Sequence, residues 1–161
     1  ELVDMGYMVA MTSNSDVNNY AMRHYEKVFG ENGCFRLITP EELRKDKAEL
    51  PKERLFPYTD DFLDLNEVAR DYPEVHELEL PSMEHLKRMV QKMSLLTKSI
   101  PVFVKDHTGE MHIIPAEVED LEIENVFQLV YLGKQLDEEV IREVVPETEE
   151  EVEPEVPQNG E

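Results

Sequence analysis

Side chains able to hold a ligand gather at one point of this chain. Thr12-Ser13-Asn14-Ser15-Asp16-Val17-Asn18 directly follows the apolar run Gly6-Tyr7-Met8-Val9-Ala10-Met11. Hydroxyls and carboxamides supply donors and acceptors there at the carboxyl end of an expected strand, and the amides of a helix start add partial positive charge, a combination suited to a ligand site. The same residues also make a plain helix cap, and on chemistry alone the cap is the stronger reading.

Other chemistry-bearing residues have simpler explanations. The five histidines, His24, His76, His85, His107 and His112, show no HExxH order and no i, i+4 pairing, so their spacing gives zinc no support. His24 falls on the apolar stripe of a helix and reads as a core imidazole. His107 reads as polar filler of a turn, and His76 with His112 as a cross-strand pair. Cys34 lies inside an apolar run, no Gly-x-Ser-x-Gly occurs, and no serine is followed by a base at a recognisable spacing. Glu41-Glu42 and Asp60-Asp61 stand at helix starts, where the macrodipole accounts for them. No catalytic residue and no metal ligand is assigned, and the chain reads as a non-enzyme.

A strand and a helix must position the polar cluster. Consecutive apolar residues from Gly6 to Thr12 predict a parallel strand covered on both faces. Ser13 is the expected N-cap with Asp16 three residues on; Val17, Tyr20, Ala21, His24 and Val28 follow at helical spacing, and Gly30 is the stop. Cys34 to Ile38 is the next strand, ended by Pro40, so the front of the chain is a right-handed βαβ unit. A charged, proline-broken connector, Arg44 to Pro57, leads to a helix capped at Thr59-Asp60-Asp61 and stopped by Pro73. His76, Leu78 and Leu80 alternate with Val75, Glu77 and Glu79, the pattern of a strand with one wet face. Ser82 caps a helix from Met83 to Thr97 whose Met83, Leu86, Met89, Val90, Met93 and Leu96 share a stripe, better suited to a core than to a partner groove. A hairpin joins Pro101–Lys105 to Glu110–Ile114 through Asp106-His107-Thr108-Gly109, and a last strand, Ile123 to Leu132, completes a small mixed sheet. Leu136, Val140, Ile141, Val144 and Val145 predict a short closing helix.

Composition sets the outer limits. The 161 residues carry 37 acidic and 16 basic side chains, a net charge of -21, which repels phosphodiester backbones and anionic lipid and excludes nucleic acid as a favoured partner. Residues 137–161 hold eleven acids and one arginine, and from Pro146 on there is no periodic apolar face, so a solvated tail is expected there. No apolar run approaches the roughly 18 residues that span a bilayer, and no signal peptide is recognisable. The lone cysteine excludes an intrachain disulfide and suits a reducing compartment. The chain opens on Glu1, already close to an apolar pattern, and is expected to be cut from something longer.

The run Tyr7 to Asn18, the helix through His24-Tyr25 and the strand Phe35-Arg36-Leu37 together resemble the fourth strand, its helix and the fifth strand of the potassium-conductance-regulator (RCK, or TrkA-N) domain. They resemble most the cytoplasmic C-terminal region of bacterial sodium(potassium)/proton antiporters of the NhaP type, through Thr12, Asn14, Asp16, Asn18 and Arg36. The hairpin Pro101 to Ile114 and the final strand also look like the small α+β segment of those antiporters. The glycine fingerprint of the family's nucleotide-binding half is absent, since the six glycines nowhere form G-x-G-x-x-G.

The resemblance implies α/β plus α+β architecture: residues 1–58 as the second half of a Rossmann-like RCK/TrkA-N unit with its connector, 59–135 as a small mixed-sheet α+β subdomain, and 136–161 as a short helix and acidic, disordered tail. It implies a regulatory domain at the cytoplasmic face of the bacterial inner membrane, modulating Na+ or K+/H+ exchange, with the transmembrane antiporter domain of the same polypeptide as partner. Thr12, Ser13, Asn14, Asn18 and Arg36 are its candidate ligand residues. No cofactor is expected in this stretch, with a nucleotide or NAD(H) expected only in the full-length protein. A strand edge apolar on both faces predicts a homodimer. The rival reading is a non-enzymatic interaction module working through the Met-rich helix and acidic tail.

Overall fold

The computed structural model describes residues 6–30, 33–46, 50–55, 62–96, 98–118, 121, 123 and 126–145. The front unit is β1 (Met8–Ala10), α1 (Ser15–Phe29) and β2 (Cys34–Arg36). β1 and β2 pair in parallel, Met8 opposite Cys34 and Ala10 opposite Arg36, and the ladder continues with Leu37 N donating to Ala10 O at 3.0 Å. Gly30 ends α1 at φ 76, a conformation that side chains with a Cβ resist. Thr39 then caps the single turn α2 (Pro40–Leu43) in a capping box with Glu42, and Pro40 sits at its first position, where no amide is needed.

The second sheet is built from β3 (Val75–Glu79), β4 (Ser99–Asp106), β5 (Met111–Ile113) and β6 (Val126–Gly133), in the order β3-β6-β4-β5. Every pairing in it is antiparallel, which corrects the expected mixed sheet. β3 and β4, joined through α4 (Met83–Met93), do run the same way, but β6 returns between them and takes both their inner edges. The strip at Arg54 and Leu55 bridges to Arg36 on one side and to Pro115 on the other, tying the small parallel pair to the larger sheet.

Two apolar clusters hold these layers. Leu86, Met89, Val90 and Met93 of α4 are buried against Val104, Leu129, Tyr131 and Ile114, so the methionine stripe is core and is not free for a partner. Ser82 caps α4 as expected, its Oγ accepting from His85 N. The stripe of α5 (Glu138–Val144), with Val144 buried and Leu136, Val140, Ile141 and Val145 packed on the same cluster, anchors this helix; Lys92 and Glu143 form an ion pair across α4 and α5. The second cluster joins Leu37 and Leu55 to Leu65 and Val68 of α3 (Phe62–Asp71) and to Ile100 and Ile113. Gly133, at φ 124, lets β6 pass so close to β4 that a Cβ would overlap the Lys98 carbonyl oxygen. No helix among the described residues is long and apolar enough to cross a membrane.

Four further expectations are revised. The cap of α1 is Asn14, not Ser13, because the Asn14 Oδ1 reaches the amides of both Asp16 and Val17. β1 is covered only in part: Val9 packs on the second cluster and Ala10 is buried, while Met8 is half-buried and Tyr7 and Met11 beside the strand are exposed. The stripe of α1 points outward, leaving Val17, Tyr20, His24 and Val28 in solvent. His76 and His112 lie on β3 and β5, opposite edges of the sheet, and His76 instead faces Tyr131. The helix cap expected at Thr59-Asp60-Asp61 and the acidic tail from Pro146 fall outside the described residues.

Candidate functional site

At the carboxyl end of β1 the polar cluster closes on itself. Asn18, with no exposed surface, is the only buried residue of α1. Its Oδ1 accepts from Thr12 N at 3.1 Å and from Thr12 Oγ1 at 2.7 Å, while its Nδ2 donates to Thr12 O at 2.9 Å and Leu37 O at 3.3 Å. These four bonds use both donors and both acceptor sites of the carboxamide. They pin the exit of β1 to the exit of β2. Asn14 is spent on the cap, and replacing it with alanine is expected to lower stability by about 1 kcal/mol, read from the urea midpoint. Ser13 is exposed beside this latch.

Arg36 is held apart from that group. Its guanidinium grips Glu42 with two bonds, Nη2 to Oε1 at 2.8 Å and Nη1 to Oε2 at 3.2 Å, and both side chains are nearly buried. Glu42 Oε2 also accepts from Thr39 N at 3.0 Å. Burial by itself pushes the Glu42 carboxyl upward, but the Arg36 and Thr39 bonds and the Arg36 charge outweigh it and hold the pKa below the ordinary value. Arg36 Nε, 4.0 Å from a Glu53 carboxylate oxygen, has no hydrogen-bond partner among the described residues. Thr12, Asn14 and Asn18 thus form one hydrogen-bonded group and Arg36 another, each satisfied mainly from within the chain. Burial also raises the Cys34 thiol, with Glu26 adding to it, which keeps the sulfur protonated and unreactive.

The latch fixes α1 with its apolar stripe outward. Of the ten large apolar side chains exposed among the described residues, six belong to β1 and α1 or their junctions: Tyr7, Met11, Val17, Tyr20, Tyr25 and Val28. On α1 three rings adjoin: those of Tyr20 and His24 stack at 6.0 Å, and His24 meets Tyr25 edge-on at 4.9 Å. The helix under this surface carries Asp16, Arg23, Glu26 and Lys27, so it is electrically balanced in a chain whose net charge is -21. The other edge of β1 has no partner strand among the described residues. A surface of this kind buries itself against another protein surface more readily than it binds a small molecule.

One cluster escaped the sequence reading. Ligand atoms of Asp106, Glu110 and His112 lie within 4.8 Å of one another across the hairpin tip. Asp106 Oδ1 accepts from Thr108 N, Thr108 Oγ1 and Glu110 N, and Oδ2 stands 3.3 Å from His112 Nε2. These bonds, led by the Thr108 hydroxyl, hold the Asp106 carboxyl far below its ordinary range. The turn accounts for the geometry, and three ligands fall short of the four of a structural zinc site. The signal was present as Asp106-x-x-x-Glu110-x-His112, but only the pairing of β4 with β5 brings its ends together.

Comparisons with models of protein families, with curated proteins and with solved structures return no match to this chain.

Proposed function

We propose that this chain is a non-catalytic regulatory module that docks through β1 and α1 onto the remainder of a larger protein. On the resemblance carried by Thr12, Asn14, Asp16, Asn18 and Arg36, that protein is a bacterial monovalent cation/proton antiporter, and the module sits at the cytoplasmic face of the inner membrane as the back half of a Rossmann-like unit. The observation that supports this reading is the outward apolar stripe of α1, together with a strand edge that has no partner among the described residues. Exposed apolar side chains gathered on one helix face mark protein–protein contact sites. Regulation then works by differential affinity: whichever state of the membrane part receives this surface is favoured by the free energy of docking.

The test is the double variant Tyr20→Lys/Val28→Lys in the polypeptide that carries this chain. Both residues are exposed, so folding stability is expected to change by less than about 0.5 kcal/mol. Na+ or K+/H+ exchange measured in everted vesicles should lose its regulation, with an altered pH or cation threshold. Exchange identical to that of the parent protein, or a reading frame with no membrane-spanning segments, contradicts the proposal.

A further inference from the structure

The tip of the β4–β5 hairpin gathers negative charge that its own strands do not neutralise. Lys105 is the one lysine or arginine between Ser99 and Ile113, and its Nζ is bonded to Glu77 of β3 at 2.7 Å. No lysine or arginine occurs from Asp106 to Gly133, so β5 and β6, the two strands paired with β4, bring none. The Glu110 side chain is exposed, and its carboxylate has no hydrogen bond or ion pair among the described residues. Its charge is felt at Tyr7, whose hydroxyl is pushed up first by burial and then by Glu110.

Within this field a nitrogen and two carboxylates converge. The turn consumes only one oxygen of Asp106: Oδ1 takes the three bonds from Thr108 and Glu110, which fixes the plane of the carboxylate and leaves Oδ2 to the His112 imidazole. Oδ2 and His112 Nε2 stand 3.3 Å apart, long for a hydrogen bond between charged partners. That spacing is close to the edge of about 3.4 Å between two ligands on a tetrahedral ion with bonds of about 2.0–2.2 Å. A Glu110 oxygen lies within 4.8 Å of both atoms, and a small rotation of this exposed side chain brings it into the shell. Imidazole selects Zn2+ and its first-row neighbours over Mg2+ and Ca2+, which prefer oxygen alone. Three protein ligands with an open side make an exchangeable site in which the ion keeps water. We infer that the hairpin tip binds one first-row divalent transition-metal ion through Asp106 Oδ2, the Glu110 carboxylate and His112 Nε2, tying β4 to β5 at their open end. The site shares no residue with the docking surface proposed above and stands or falls independently of it.

The full chain, labelled with nitrogen-15, is titrated with Zn2+ at neutral pH and, separately, with Mg2+. Zn2+ should saturate at one equivalent, with the largest shifts at the amides of residues 105–113 and at the His112 imidazole. Mg2+ should bind there at least tenfold more weakly. His112→Gln and Glu110→Gln should each weaken Zn2+ by at least the tenfold that losing even an outer partner of a metal ligand costs, while the rest of each spectrum reports the fold. His107→Gln, which removes the exposed imidazole of the same turn, should leave the affinity within twofold. Absence of saturable shifts at the hairpin, equal binding of Mg2+, or undiminished Zn2+ binding by the folded His112→Gln or Glu110→Gln chain overturns the inference.

Discussion

Replacing Arg36 with methionine is expected to lower folding stability by about 3–5 kcal/mol, because it strands the Glu42 carboxylate in a nearly buried position. The pair is bidentate, and Glu42 is simultaneously the third residue of the capping box that starts α2, so charge, cap and chain reversal fail together. The double variant Arg36→Met/Glu42→Gln removes the stranded charge and retains a side chain that can accept from Thr39. It should recover more than half of the loss, since a buried ion pair contributes little beyond a neutral replacement once neither charge is left alone. Urea unfolding of the three proteins at neutral pH checks this; an Arg36→Met loss under about 1 kcal/mol would mean that the pair is solvated and the capping box alone shapes α2.

Asn18→Leu should come next, at about 3 kcal/mol. Leucine keeps the branched shape but is bulkier, so some overpacking adds to the loss of hydrogen bonds. It leaves Leu37 O without this partner in a buried position and Thr12 N and O without it in a half-buried one, and each unsatisfied buried group costs about 1–3 kcal/mol. Thr12 Oγ1 retains a 3.1 Å bond to Asn14 O, which limits the total. Circular dichroism melting is the readout, and a variant as stable as the parent would show that the latch between the two strand ends does not restrain the front unit.

Acid should act through the same groups. Glu42 and Asp106 both have carboxyl pKa values lowered in the folded chain. A lowered pKa contributes stability that is complete above the unfolded value and is lost as pH falls through the folded one. Stability should therefore be level above about pH 5 and decline below the ordinary carboxylate range, and Glu42→Gln should flatten the decline. Urea midpoints measured from pH 7 down to pH 2 give the comparison.

The elements were legible where local signals and burial agree. Ser82 followed by Leu86, Met89, Val90 and Met93 announces a capped, half-buried helix, and Asp106 to Gly109 between two apolar runs announces the hairpin. What stayed hidden depends on partners far along the chain. Helical spacing in α1 shows that Val17, Tyr20, His24 and Val28 share a face, but not which way that face points. The answer came from Asn18, a polar residue on the opposite face, drawn inward because Thr12 and Leu37 together satisfy it. The insertion of β6 between β3 and β4 is likewise set by tertiary pairing, with Leu129 and Val130 serving both neighbours, and no local pattern encodes it. Of the candidate ligand residues, Thr12, Asn14 and Asn18 do come together, while Arg36 is turned away by Glu42.

The central claim is that the outer face of α1 and the free edge of β1 are covered by another part of a larger protein. Hydrogen exchange measures this directly, as deuterium uptake in peptides spanning residues 7–29, in this chain alone and in the whole polypeptide that carries it. The account predicts uptake slowed at least tenfold in the whole polypeptide, with residues 83–93 of the buried α4 serving as an unchanged internal reference. Equal uptake across residues 7–29 in both samples would contradict it.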